Sequence, residues 1–463
     1  MTHQRKIQHL YLRAGFGLSP EEWLEKKDIP LQEAVNQLFE KAKFVPRIES
    51  EEAAADLSMQ AIRNLSREEK AKLRKQERKK VALQNANWLE RMANPNESPL
   101  LEKMSLFWHG HFACTSKGSR LALAQLNSLR RHALGNFREL ALAIAKDASM
   151  IRFLNNQQNR KRQPNENFAR ELMELFTIGR GNYSEKDVKE AARAFTGWSS
   201  NFRGEFVFRS FQHDYGNKTF LGKSGDFNGE DIIDLLLEKK ETARFVTRKI
   251  YRYFVNEKID EDRVVELADL FYNSNYDIGK LMRAIFESDW FYEDENVGSK
   301  IKSPVEFLAG IERNLKVQFE REESIVLIQK ALGQLLFNPP NVAGWPGGKS
   351  WIDNSTLMLR LNLVNHLFQI AEFDFRVKPE FEAKEPNQGR KKLNASLDFQ
   401  ELIATFSNEN EEDVFEELTS FFIQAPVQLD KQLFDEFTRQ DTKENYIKTL
   451  TMRLMSLPEY QLC

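Results

Sequence analysis

Apolar residues recur every three or four positions along almost the whole 463-residue sequence, whereas strict alternation of apolar and polar residues is rare. The first spacing matches the turn of an α-helix, and the second would indicate strands. The chain is therefore predicted to be mainly α, a multi-helical globular bundle. Ser19, Ser184 and Asn228 each stand just before acidic residues, as helix N-caps do.

Two segments interrupt the helical pattern. Residues 204–225, GEFVFRSFQHDYGNKTFLGKSG, place phenylalanines between polar residues and flanking glycines, which predicts a short β-hairpin or an extended insertion. Residues 337–355, FNPPNVAGWPGGKSWIDNS, contain three prolines and three glycines and predict a shaped loop.

The pattern divides the chain into three parts. Residues 1–372 are predicted to form the main helical domain, 373–395 a linker, and 396–463 a small C-terminal helical unit. Within the main domain, residues 55–80 are dominated by charged side chains and predict an exposed helix with i,i+4 ion pairs. The alternative is that their Lys and Arg residues touch phosphate or an acidic partner.

Composition excludes several classes of function. A net charge of −2 and a pI near 6.5 give no basic field for nucleic acid. No apolar run approaches the ~20 residues that a membrane span requires. Two cysteines are too few for a disulfide framework, and the N-terminal segment lacks the apolar run of a secretory leader. We therefore expect a cytoplasmic protein.

The motif FWHGHF, residues 107–112, contains the first candidate site. Gly110 is well placed to end the preceding helix, and a break there would let the imidazoles of His109 and His111 converge on one metal ion. The alternative is that His109 lies against the helix end and His111 packs beside a phenylalanine ring. The spacing alone does not decide between them.

The second candidate lies in PNENFARELMELFTIGRGNYSEKDV. A helix starting at Pro164 and Asn165 and stopping at Gly179 would gather its apolar residues on one arc. The opposite face carries polar residues, namely Glu166, Asn167, Arg170, Glu171, Glu174 and Thr177. This face is either solvated and ion-paired, or turned inward with Arg170 fixing carboxylates that serve as a ligand or a general base.

Two further segments could bind a ligand. In the segment 212–218, His213 beside Asp214 could act as a metal ligand or general base, and Lys218 could clamp an anion. A plain surface loop is the alternative. In the loop 337–355, which we call the glycine-rich loop, Asn341 and Trp345 could offer backbone N–H groups and an aromatic face to a ligand. The alternative is that Trp345 simply caps the core.

The order of these motifs resembles a large bacterial family described as domain of unknown function 1800. The resemblance runs through HLYLRAGFGLSPEE, KMSLFWHGHFA, NENFARELMELFTIGRGNYSEKDVKEAARAFTGW, HDYGNKTFLG, ETARFVTRKIYRYFV, SPVEFLAG and NPPNVAGWPGG, over roughly residues 5 to 370. It implies that the following are family motif positions: His109, His111, Asn165, Glu166, Arg170, Glu171, Glu174, Trp198, His213, Asp214, Asn341 and Trp345.

The resemblance carries expectations beyond these positions. Relatives are often similar to secreted proteins and are often encoded beside a sulfatase-like family. This sequence departs in showing no signal peptide. It also has Gly110 and Phe176 where many relatives are expected to carry Asn and His, so a ligand at position 176 is not available here.

Three functions follow from these residues. The first is a metal-dependent enzyme, a hydrolase or an oxygenase, in which His109, His111, His213 and one carboxylate bind zinc or iron. The second is a protein that binds an anionic small molecule or glycan without metal. It would use Arg170 and Lys218 as clamps and Trp198 or Trp345 as a stacking platform. The third is a helical scaffold for a sulfatase-like partner. The distances among the three imidazoles distinguish the first from the others.

Overall fold

The computed structural model describes residues 1–49, 64–116, 118–321, 323–369, 372–373, 391–392, 395–407 and 411–463. Its mainly helical architecture confirms the predicted fold class. The helices are α1 His3–Ala14, α2 Pro20–Lys26, α3 Leu31–Ala42, α4 Arg67–Ala93, α5 Pro99–His111, α6 Ser119–His132, α7 Phe137–Ala145, α8 Ala148–Phe153, α9 Asn167–Glu171, α10 Glu185–Ala194, α11 Gly229–Leu237, α12 Lys240–Phe254, α13 Glu261–Asn273, α14 Ile278–Glu287, α15 Pro304–Leu315, α16 Glu323–Leu332, α17 Asn354–Gln369, α18 Gln400–Phe406, α19 Glu411–Phe422, α20 Lys431–Asp435 and α21 Lys443–Met455.

The helix starts follow the capping residues of the sequence. Ser19 and Ser184 form capping boxes with Glu22 and Asp187, and the Asn228 side chain accepts from the first amides of α11. These boxes satisfy amides that have no partner inside the helix. The apolar segment that begins after Asn228 is divided into two helices, α11 and α12.

The strands are short and pair in twos. They are β1 Trp198–Ser200 with β2 Phe206–Phe208, β3 Lys218–Phe220 with β4 Lys223–Gly225, β5 Gln318–Phe319 with β8 Ala395–Ser396, and β6 Glu372–Phe373 with β7 Lys391–Lys392, all antiparallel. The predicted insertion is thus two hairpins, and the first begins at Trp198, before the predicted boundary. The predicted loop 337–355 has one short 3₁₀ turn, Gly348–Trp351.

The C-terminal helices pack against the N-terminal part of the chain. The Gln8 side chain donates to the Phe421 carbonyl at 2.6 Å, and the Arg13 guanidinium donates to the Cys463 carbonyl at 2.8 Å. Ile301 and Leu462 form an isolated β-bridge. The predicted boundary between 1–372 and 396–463 stays a prediction, and buried hydrogen bonds cross it.

Parts of two sequence predictions lie outside the described residues. These are 55–63 of the predicted charged helix and most of the predicted linker 373–395. From Arg67 onward the charged segment belongs to α4. Among the described residues, none of the helices has the length and apolar character needed to cross a membrane.

Candidate functional site

Helix α5 continues through the His-Gly-His motif, which corrects the expectation that Gly110 ends it. The helix reaches His111, and the Phe112 amide still donates to the Trp108 carbonyl at 2.8 Å. Gly110 does not adopt the left-handed conformation that terminates helices. Because residues two apart on a helix point about 200° apart, His109 and His111 face different surroundings. The expected convergence of the two imidazoles does not occur.

His109 fixes the start of the glycine-rich loop. Its Nε2 accepts the backbone N–H of Phe337 at 3.1 Å, so the proton of the neutral ring is on Nδ1. The ring is buried against Trp88, Phe337 and Trp345. Burial lowers the pKa of His109 to about 4. At neutral pH the imidazole is therefore uncharged, and its Nε2 lone pair is occupied by the loop.

His111 points to the end of the helix predicted from Pro164 to Gly179, which the structure forms as α9 and the π-helical turn Leu172–Phe176; we call these two together the acidic helix. Its Nε2 lies 3.0 Å from the Phe176 carbonyl oxygen, which can only accept, so Nε2 carries the proton. The unprotonated Nδ1 faces the ammonium group of Lys249 at 3.4 Å. Burial and then the charge of Lys249 hold the pKa of His111 well below its ordinary value, although the bond to Phe176 opposes them.

His213 occupies a third environment. Its Nδ1 donates to the Thr196 carbonyl at 2.8 Å, and its ring lies between Phe208 and Tyr215. The part of the chain that the structure describes contains no group of three His, Cys, Asp or Glu residues that could hold a metal ion. The zinc or iron site stays a prediction, and the hydrogen bonds of these imidazoles do not support it.

The polar face of the acidic helix is ion-paired and partly exposed, except at Thr177, which is buried and donates to the Leu172 carbonyl at 2.6 Å. The Arg170 guanidinium donates to Glu166 at 3.1 Å and to Glu185 at 2.7 Å, and the Tyr183 hydroxyl donates to Glu174 at 3.1 Å. Burial, and then the neighbouring Glu174, raise the pKa of Glu171. These ion pairs match the alternative in which the polar face is ion-paired, and not the one in which it turns inward to form a site.

The remaining predicted ligand residues also have partners. Asp214 accepts from Arg193 at 2.7 Å, and Lys218, with a buried side chain, pairs with Asp226 at 3.1 Å. Trp198 is buried against Phe195 and Phe206, so its ring faces are covered by protein. The exposed Asn341 turns the loop by accepting the Ala343 N–H at 2.8 Å.

The acidic helix ends in a π-helical turn, Leu172–Phe176, that leaves carbonyl groups for other elements. The amides of Ile178 and Gly179 both converge on the Met173 carbonyl, at 3.1 and 2.9 Å. The carbonyls of Leu175 and Phe176 therefore need partners from elsewhere. Lys249 of α12 donates to the Leu175 carbonyl at 2.7 Å, and His111 of α5 donates to the Phe176 carbonyl.

Lys249 is a largely buried cation whose described neighbours include no carboxylate. Burial is the main cause that lowers its pKa to about 8, and the one charged group that adds to the shift is another cation, Arg252. Other buried cations differ: Lys103 lies 2.6 Å from the Glu306 carboxylate. A buried charge without an opposite charge is costly, which makes Lys249 a candidate functional residue.

The surroundings of Lys249 are aromatic and closely packed. Its ammonium lies 4.8 Å from the centre of the Phe245 ring, and a Cβ at Gly179 would lie only 2.7 Å from that ring. We call Lys249, His111, Phe245 and the carbonyls of Leu175 and Phe176 the Lys249 site. Trp345 packs over Gly110, next to His111, and its buried Nε1 donor has no hydrogen-bond partner in the described residues.

Sequence reasoning missed Lys249, although the sequence contains a signal for it. In α12 the lysine stands four residues after Phe245 and four before Tyr253, so one helical stripe places a cation between two aromatic residues. Such a stripe is also typical of a lysine whose stem covers apolar surface. The contact with His111 comes from tertiary packing and has no signal in the sequence.

A cavity of about 420 Å³ is lined in part by Trp88, the residue that packs against His109. Its lining includes Arg47 and Arg91 but also Glu49, Glu90 and Glu97. Opposite charges thus accompany each other there, whereas Lys249 has no such compensation.

A family model described as "Protein of unknown function (DUF1800)" matches residues 9–462, nearly the whole chain. No curated protein and no solved structure matches the chain significantly.

Proposed function

The chain belongs to the DUF1800 family of proteins of unknown function, and from the geometry of the Lys249 site we propose that it binds an anionic small molecule. Lys249 supplies the positive charge that attracts the anion. His111, whose Nε2–H is fixed by the Phe176 carbonyl and whose ring is kept neutral by burial and by the charge of Lys249, positions the ammonium group.

The observation that carries this proposal is the uncompensated charge of Lys249. Its described hydrogen-bond partners are a carbonyl oxygen and an imidazole nitrogen, both neutral. An anion at this ammonium group would form a charge-assisted hydrogen bond in a partly dehydrated setting, where such bonds are strong. The bound anion would also remove the cost of burying the lone cation.

The proposal keeps the ligand class expected from the sequence and changes the residues. Arg170 and Lys218 already pair with carboxylates, so binding through either would first require breaking an ion pair. Phosphorylated and sulfated compounds are the first ligands to examine, because their oxygens accept several hydrogen bonds.

The test is a thermal-shift titration of the full chain with inorganic phosphate, sulfate and a sugar phosphate. We expect at least one of them to raise the melting temperature of the wild type, because a ligand that binds only the folded state stabilises it. Lys249→Met keeps the length of the side chain and removes the charge, so this variant should lose the shift.

Lys240→Met is the matched control. Lys240 lies on the same helix but is exposed and paired with Asp269, so this variant should keep the wild-type shift. A shift that survives in Lys249→Met, or no shift with any of the three anions, contradicts the proposal.

The same sample tests the metal-dependent enzyme. A shift that a chelator abolishes, or near-stoichiometric metal that is lost in His109→Ala and His213→Ala, would favour that function over anion binding. A cytoplasmic location and a sulfatase-like partner stay predictions.

A further inference from the structure

Four aromatic side chains are exposed on one short segment remote in sequence from the Lys249 site. They are Phe202 at 50%, Phe208 at 44%, Phe211 at 71% and Tyr215 at 58% exposure. All four lie on the β1–β2 hairpin or in the turn that follows it. Clustered apolar exposure of this kind marks an interaction surface more often than scattered single residues do.

A basic loop lies directly beside these rings. The backbone N–H of Lys161 donates to the Gln212 carbonyl at 2.8 Å, which places the loop Arg160–Arg162 against the turn carrying Phe211. Arg160, Lys161 and Arg162 are all exposed, and they make no ion pair among the described residues. Their charges are therefore free to attract an anionic partner.

Ring contacts connect several of these residues. His213 contacts both Phe208 and Tyr215, with ring centres 5.2 and 4.8 Å away. At the hairpin turn, the Arg203 guanidinium lies 5.5 Å from the Phe202 ring. The exposed Glu205 in this turn is held by Asn201. We call this the aromatic-basic surface; its members are Phe202, Arg203, Phe208, Phe211, Tyr215 and the loop 160–162.

We propose that the aromatic-basic surface attaches the protein peripherally to an anionic lipid bilayer. Phe202 and Phe211 would bury their rings at the boundary between head groups and acyl chains, and the basic loop would contact lipid phosphates. The overall charge of −2 gives no basic field along which a nucleic acid backbone could run. Lipid is therefore a better fit than nucleic acid, and the attraction is confined to this surface.

Flotation of the full chain with lipid vesicles tests the proposal. We expect binding to vesicles containing phosphatidylglycerol, much weaker binding to pure phosphatidylcholine vesicles, and a loss of binding as salt increases. Each basic residue near an anionic membrane adds to the attraction, so Lys161→Glu with Arg162→Glu should reduce binding at least about tenfold. Phe211→Ser should also reduce binding, since this ring is largely exposed and its loss leaves the core intact.

Two controls separate this surface from general stickiness. Phe44→Ser removes a ring exposed by 76% elsewhere on the chain, and Lys72→Glu with Lys75→Glu makes the same change of charge on α4. Both should bind vesicles as the wild type does. Failure to bind anionic vesicles, equal losses in the controls, or binding of a single-stranded oligonucleotide instead of vesicles would overturn the proposal.

Discussion

At the scale of single residues, burial of the Lys249 ammonium group predicts how the stability of the protein depends on pH. Its folded-state pKa near 8 lies below the ordinary value of 10.5, so the unfolded chain binds more protons between these values. Stability therefore rises as pH increases through this range, and this side chain contributes up to about 3 kcal/mol to the rise. In chemical denaturation without ligand, the wild type should gain stability relative to Lys249→Met between pH 7.5 and 10. A constant difference between the two proteins across that range would show that the ammonium group is not destabilised by burial.

The two motif histidines are expected to hold opposite tautomers. Hydrogen bonding places the proton of His109 on Nδ1 and that of His111 on Nε2. Nitrogen-15 NMR of the imidazoles should show these tautomers and no protonation of either ring at pH 6, since both pKa values are lowered. An imidazolium signal from either residue at pH 6 would contradict the assignment.

Protonation of His109 should also affect stability in acid. Its folded-state pKa of about 4 lies below the ordinary 6.5, so stability falls as pH decreases from 6.5 to 4, by up to about 3 kcal/mol. His109→Phe lacks the titrating group, and its unfolding free energy should decline less over this range. Parallel declines in denaturant titrations would exclude His109 as a cause.

At the scale of elements, local signals in the sequence predicted the helical fold class and several helix starts, but they were insufficient at the site. Capping residues such as Ser19 and Ser184 predict helix starts because their hydrogen bonds are made within one turn. Gly110 failed as a stop signal because a glycine can remain helical when the neighbouring turns are packed, and α5 is buried along almost its whole length. The π-helical turn was not predicted either, since it depends on Lys249 and His111 accommodating the carbonyls that it frees.

The end of the acidic helix offers a matched pair of glycine substitutions. Gly179 and Gly181 have φ values of +77° and +86°, but a Cβ at Gly179 would meet Phe245 at 2.7 Å, whereas a Cβ at Gly181 has nothing within 4 Å. Gly181→Ala should cost only backbone strain, about 1 kcal/mol. Gly179→Ala adds overpacking against Phe245 and should cost about 2–4 kcal/mol in denaturant unfolding. Equal losses would mean that Phe245 moves aside freely and that the Lys249 site is less closely packed than described.

At the scale of the whole molecule, the Lys249 site is assembled from segments far apart in the chain. His111, Phe176 and Lys249 lie on three different elements, and the loop that begins at Phe337 is anchored by His109. The sequence predicted the helix carrying His109 and the irregular loop, because those depend on local pattern, but it placed the helix end before His111. Which side chains meet is decided by the packing of α5 against α12, and one sequence contains no direct measure of that packing.

Hydrogen bonds that cross the predicted domain boundary indicate that the two parts of the chain unfold together. Arg13 is fully buried, and its guanidinium joins Val255 and Asn296 of the main part to Cys463. Separating the two parts would leave this charge without several acceptors, which is expensive in a buried setting. We therefore expect residues 1–372 and 396–463 to unfold in one cooperative transition.

Two probes can follow the two parts separately. All seven tryptophans lie before residue 372, so tryptophan fluorescence reports on the main part, while hydrogen exchange of α21 reports on the C-terminal unit. Coincident denaturant midpoints are expected for the wild type, and Arg13→Met should lower both together because the residue joins both parts. An earlier transition of α21, with unchanged fluorescence, would instead establish 396–463 as an independently unfolding domain.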